Sequence, residues 1–168
     1  MLKPEPSSEP TLHIKFDELV NPHDLTPNPN NRNLHPSQQV QRLIEIIEYQ
    51  GWRSPIIVSK QTKMIVKGHC RRLAAIKAGW AVVPIIYQDY VNPEQEYADG
   101  VSDNAIASWS NLDMQGINYD LQGLGPDFNI DHLGIDNFVL EPADKYTDKD
   151  IPSLLDTDKK CPKCGYEW

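Results

Sequence analysis

The sequence predicts a small α+β domain over residues 12–112, with helices laid against a mixed β-sheet. Three observations carry this. Apolar runs of strand length (PIIVS, MIVK, VVPIIY) are interleaved with segments of helical period. Cap and turn residues stand between them. A chain of 168 residues is long enough to bury one ordinary core, with extensions.

Taken in order, LHIKFDELV alternates apolar and polar residues and predicts a first short strand at about 12–16. Residues 21–36, NPHDLTPNPNNRNLHP, form an irregular connector whose length marks it as functional rather than incidental. In SQQVQRLIEIIEYQG the residues Val40, Leu43, Ile44 and Ile47 make the stripe of a half-buried helix. Ser37 is placed to cap it, Pro36 lies outside, and Gly51 supplies the stop. PIIVSKQTKMIVKG reads as two strands around a polar turn. A second helix follows, with Leu73, Ile76 and the alanines facing inward and Gly79 ending it. VVPIIYQDY is another strand, after which Asn92, Pro93 and Gln95 open a helix through PEQEYADGVSDNAIASW.

The remainder divides by composition. Residues 1–11 are rich in Pro, Ser and Glu and are expected to be disordered. Residues 113–140 form a helical extension of short glycine-separated pieces, 141–160 an acidic linker, and 161–168 a terminal cysteine knuckle.

The net charge of −8 argues against a protein that coats duplex DNA by bulk attraction. Yet residues 51–88 contain no Asp or Glu and carry Arg53, Lys60, Lys63, Lys67, Arg71, Arg72 and Lys77. Such a segment is either a local anion site or a set of solvated charges on a hairpin and a helix. No apolar leader and no run long enough to cross a bilayer is visible, so no membrane association is expected. Three cysteines make no disulfide framework, which fits a reducing, cytoplasmic setting.

The chemistry concentrates in KGHCRRLAAIKAGW, residues 67–80. A strand ending at Lys67, a glycine, and a helix starting near His69 would place free backbone N–H groups at a positive dipole end. Gly68 leaves room for close approach, and Arg71 in the first turn would fork onto the same phosphate oxygens, with Arg72 and Lys67 strengthening the field. Cys70 offers a second reading. A helix start flanked by arginines favours thiolate, whereas a lone cysteine in an amphipathic helix ordinarily acts as a small apolar filler. His69 is a candidate phosphate donor or catalytic base, or a strand-end cap.

On these residues the chain resembles the ParB/sulfiredoxin superfamily, and in particular the ParB-like domains common in phage and mobile-element genomes, alone or linked to methyltransferases. Gly68, Arg71 and Ala74 match the family's G-x-x-R-x-x-A motif. NPNNRNLHP, with Asn28, Pro29 and Arg32, matches its Asn/Pro/Arg-rich loop, and Asp103 and Asn104 match its acidic-Asn pair. The resemblance covers roughly residues 12–140. It implies a nucleoside triphosphate site, for CTP or ATP with magnesium, formed by Asn28, Arg32, Gly68, His69, Cys70, Arg71, Arg72 and Asn104. Asp103 would hold the metal, and His69 or Asp103 would be the catalytic candidates. It further implies work in DNA modification, partition or replication, with DNA or a DNA-modifying enzyme as partner and NTPase or nuclease activity as the open possibilities.

The departures narrow this. Cys70 stands where partition proteins have the first of two arginines, and Asn104 leads into Ala105, Ile106 and Ala107 instead of a Gln-Arg pair. No helix-turn-helix pattern follows; MQGINYDLQGLGPDFNIDHLG is acidic and would repel a duplex. Sulfiredoxins place cysteine before histidine, the reverse of His69 and Cys70 here. The tail KKCPKCGYEW carries half of a zinc ribbon in Cys161 and Cys164, and a second chain would complete a tetrahedral site and make a homodimer. Three other classes stay in play: an adaptor with a degenerate pocket that binds a partner protein or DNA, an ATP-dependent kinase or thiol-repair enzyme that depends on Cys70, and a metal-dependent nuclease.

Overall fold

The computed structural model describes residues 9–136 and residue 138. They fall into two units, one running through Asn111 and including Asn129–Asp136, the other containing Leu112–Phe128. In the first unit four strands, β1 (Glu18–Val20), β2 (Ile56–Ser59), β3 (Ile65–Lys67) and β4 (Val83–Gln88), form one sheet in the order β1-β4-β2-β3. β1 and β4 are antiparallel, β4 and β2 parallel, and β2 and β3 antiparallel, so the sheet is mixed. Helices α1 (Ser37–Gln50), α2 (His69–Ala78) and α3 (Pro93–Ala107) flank it, and α2 lies in the crossover that parallel pairing of β2 and β4 requires. The second unit contributes α4 (Met114–Leu121). A 3-10 turn, Ile130–Leu133, belongs to the first unit again.

The core is the intersection of the apolar stripes. Val40, Ile44 and Ile47 of α1 are buried in one cluster with Ile56, Val58, Ile65, Val83 and Ile85 of the sheet. Trp52 and Trp80, one just after α1 and the other just after α2, meet edge to face with centroids 5.6 Å apart. Gly51 ends α1 with φ 73° and Gly79 ends α2 in the left-handed region. Asn92 caps α3 by accepting from the Gln95 N–H at 2.8 Å.

Three expectations are corrected. The first strand is not at 12–16: Leu12 makes only an isolated bridge to Trp52, and Glu18–Val20 pairs with β4. Alternation alone does not say which part of an extended segment finds a partner. Ser37 is not a cap but the first helical residue, and Pro36 takes the cap position with no side-chain hydrogen bond. The inner face of α2 holds the expected alanines, Ala74 and Ala75, with Cys70 and Ala78 packed beside them, but not Leu73, which is 39% exposed. The small side chains let the helix backbone lie close to its neighbours.

The β2–β3 turn is fixed from within and from α3. Ser59 Oγ accepts from the N–H groups of Gln61 and Thr62, both at 3.2 Å. Glu96 of α3, only 6% exposed, takes the Ser59 hydroxyl at 2.6 Å and the Thr62 hydroxyl at 2.8 Å. Both carboxylate oxygens are thus satisfied, as burial of a charge demands.

Candidate functional site

A cavity of about 660 Å³ opens where α1 and α2 begin. Its floor is Val66–Arg71, the end of β3 and the first turn of α2. One side is the start of α1, and Asp103 and Asn104 of α3 complete the polar rim. Neither α1 nor α2 has a side-chain cap, and neither carries an acidic residue in its first turn. Two positive dipole ends and their unsatisfied N–H groups therefore share one hollow, the arrangement that favours an anion.

Gly68 makes the floor possible. Its φ is 96°, and a Cβ there would stand 3.2 Å from Ile56 Cγ1 and 3.3 Å from Arg71 Nη1. Arg71 lines the cavity while its Nη1 donates to the Pro55 carbonyl at 3.3 Å, which leaves other guanidinium donors for a ligand. Burial lowers its pKa, opposed by the nearby Asp103 and Cys70. Lys67 lines the same floor, with Nζ 2.9 Å from Asp99 and 3.5 Å from Asp103. Burial is the largest influence on this amine and opposes its charge, yet hydrogen bonding to Asp99 and the field of Asp103 carry its pKa upward overall. The ammonium is secure at neutral pH.

His69 faces the loop. Its Nε2 accepts the backbone N–H of Asn28 at 3.2 Å, and burial, aided by His35 and Arg72, pushes its pKa down to about 4. The imidazole is neutral at pH 7, and the lone pair that a base would use is already occupied. Cys70 also lines the cavity, but burial raises its thiol pKa more than Arg71 lowers it, so it stays protonated. The thiolate reading loses its physical basis.

Asn28 and Arg32 line a smaller neighbouring hollow of about 50 Å³, which shares His69 and Val66 with the larger one. The asparagines build the loop itself: Asn28 Oδ1 accepts from Asn30 N at 2.8 Å and Asn31 Oδ1 from Asn33 N at 3.2 Å. Arg72 turns elsewhere, its Nε donating to the Pro22 carbonyl at 2.8 Å, and it lines neither cavity. The basic segment is dispersed in the same way. Lys60 pairs with Asp89 at 2.6 Å and Lys63 lies over the Tyr87 ring, so only Lys67 and Arg71 of its seven cations line the larger cavity.

Among the described residues no three His, Cys, Asp or Glu side chains gather to hold a metal ion. Cys161 and Cys164 lie outside the described residues. Sequence reasoning missed Glu96 and Asp99, although Glu96, Asp99 and Asp103 recur at helical spacing on one face of α3. It also missed Arg42, a third cation lining the cavity, for which the sequence gives no signal.

No helix among the described residues is long and apolar enough to cross a membrane. No protein-family model matches the chain. The ParB-like nuclease domain-containing protein YnaK of Escherichia coli K12 is 32% identical over 73 residues, which cover 44% of this chain and 83% of that protein. Among solved structures, the C-terminally truncated chromosome-partitioning protein ParB from Caulobacter crescentus, complexed with CTP-γ-S, aligns with a TM-score of 0.54 at 22% identity. That alignment covers 64% of this chain, which spans only 61% of the ParB structure. The same protein complexed to the centromeric parS site gives a TM-score of 0.45 at 20% identity. The mixed sheet, the flanking helices and the relative matched over most of its own length agree: this chain belongs to the ParB-like family.

Proposed function

We propose that this domain binds a nucleoside triphosphate, with the phosphates seated between the starts of α1 and α2, and acts in cytoplasmic DNA metabolism beside a DNA-modifying, partition or replication complex. The observation that carries the reading is the convergence of two uncapped helix starts, Arg71 and Lys67 on one cavity. Its volume lies within the roughly 300–1,000 Å³ usual for organic ligands. The CTP-γ-S held by the structurally similar ParB supports the same ligand class.

In this reading Arg71 clamps phosphate oxygens and the N–H groups of His69, Cys70 and Arg71 form the nest. Gly68 keeps the approach open, and Asn104 hydrogen-bonds from the α3 side. His69 holds the Asn28 loop in place, and Arg32 approaches from the smaller hollow. A magnesium ion ordinarily takes one or two carboxylates with phosphate oxygens and water, and in this reading Asp103, which lines the cavity 3.5 Å from Lys67 Nζ, would supply one. Such an ion would neutralise phosphate charge.

Titration calorimetry with CTP, ATP and ADP, with and without magnesium and DNA, tests the proposal. Arg71→Ala is expected to weaken binding by about 1.5–3 kcal/mol, the worth of a hydrogen bond to a charged group. Saturable binding to none of the three nucleotides would end it. The nuclease reading, favoured by the name of the Escherichia coli relative, predicts magnesium- or manganese-dependent nicking of supercoiled plasmid that Asp103→Ala abolishes.

A further inference from the structure

The cavity has two ends of different chemistry. At one, the starts of α1 and α2 lie together, with His35 close enough to His69 to bear on its charge. From Gln38 the cavity runs along α1 to Ile46, eight residues or about 12 Å at 1.5 Å per residue. At that far end the wall is Leu43 and Ile46 of α1 on one side and Gly134, Ile135 and Asp136 on the other. The first end is donor-rich, with Arg71 and the Lys67–Asp103 pair, and the second presents Leu43, Ile46 and Ile135 with Arg42 and Asp136 at its edge.

The far wall is a separate strap, Asn129–Asp136, which returns to the first unit after Leu112–Phe128. It is pinned along α1 at three successive points. Arg42 Nη1 meets Asp131 Oδ1 at 2.7 Å. The Tyr49 and His132 rings stack at 3.8 Å. Gly134 turns with φ 70° so near Ile46 that a Cβ would stand 3.0 Å from its Cδ1. A glycine so tightly seated brings the half-buried Ile135 to the apolar end.

Phosphate groups satisfy the donor-rich end and leave the apolar side chains of the other end wetted. A ligand with an apolar or planar body attached to its phosphates would fill both. We infer that the strap Asn129–Asp136 is the specificity wall of the cavity, with Ile135 packing the non-phosphate body of the ligand, so that the site selects a nucleotide over bare polyphosphate. The inference rests on the nucleotide reading above and assigns selectivity within that site to the strap.

Calorimetry of the full chain with CTP, ATP and inorganic tripolyphosphate tests it on wild type, Ile135→Ser and Gly134→Val, with thermal melts to confirm folding. Wild type should prefer a nucleotide to tripolyphosphate. Each variant should lose about tenfold in nucleotide affinity, the worth of one apolar contact in a pocket, while tripolyphosphate affinity stays unchanged. Unchanged nucleotide affinity in Ile135→Ser would overturn the inference alone, and so would an equal loss for both ligands, which would make the strap a mere support. A wild type that binds no nucleotide at all would instead overturn the reading on which the inference rests. If Gly134→Val fails to fold, Ile135→Ser decides.

Discussion

Helices α3 and α4 begin on Asn92 and Asp113, whose side chains accept from the N–H groups of Gln95 and of Gln115 and Gly116. Helices α1 and α2 begin on Pro36 and Gly68, which offer no side-chain acceptor, and no carboxylate occupies their first turns. The difference follows location. The two bare starts line the large cavity, whereas no first-turn residue of α3 does. A capped start has spent its donors on its own chain; a bare one keeps them for a ligand, at a cost in helix stability of about 1 kcal/mol. Local rules of helix design are broken where a site needs the groups that those rules would consume.

The contrast can be broken most severely at Gly68. Gly68→Val forces a β-branched residue into a positive-φ position against Ile56 and Arg71. It should cost on the order of 1–3 kcal/mol in denaturant unfolding and abolish nucleotide binding in calorimetry. Removing a real cap should do the opposite kind of damage. Asn92→Ala should lower stability by about 1 kcal/mol with nucleotide affinity unchanged, and a loss of affinity would contradict the division of roles. Supplying a carboxylate to a bare start should separate the two properties further. Gln39→Glu, in the first turn of α1, should stabilise the fold by about 0.3–1 kcal/mol while reducing affinity for the phosphates by roughly two- to fivefold.

Acid gives the mildest test, because His69 is half-buried and solvent blunts the effect. Its folded pKa of about 4 lies below the ordinary 6.5. Above pH 6.5 the imidazole is neutral in both states and its contribution is fully present. Between 6.5 and about 4 the unfolded chain takes the proton first, so stability falls as pH falls. Urea midpoints should decline across that window. His69→Gln, which keeps an acceptor for the Asn28 N–H, should flatten the decline.

Much of the frame was legible in the residues. The stripe Val40, Ile44, Ile47 marks α1, Asn92 with Gln95 marks the start of α3, and Gly68 with Arg71 marks the floor of the cavity. Misplaced elements share a cause, since each depended on a partner. The alternation in LHIKFDELV points to a strand at 12–16, but it is residues 18–20 that pair with β4. Leu73 belonged inside by hydropathy together with the alanines, but close packing kept only the alanines. Arg72 was expected to strengthen the field around Arg71, but its Nε donates to the carbonyl of Pro22 and it lines neither cavity. The strap was read as one of several short helical pieces, and nothing in its sequence says that it folds back along α1.

Gly100 sits on α3 with its missing side chain facing the strand below, where a Cβ would come within 3.3 Å of the Val66 carbonyl. Val66 and Lys67 belong to the cavity floor, and Asp103, three residues beyond Gly100, to its rim. Gly100 therefore works as a spacer of zero thickness: it lines only the smaller hollow, yet it sets how closely α3 lies on the floor of the larger one. Alanine here would lift rim from floor by a few tenths of an ångström, a calibrated way to widen the gap between Lys67 and Asp103 without altering any charge.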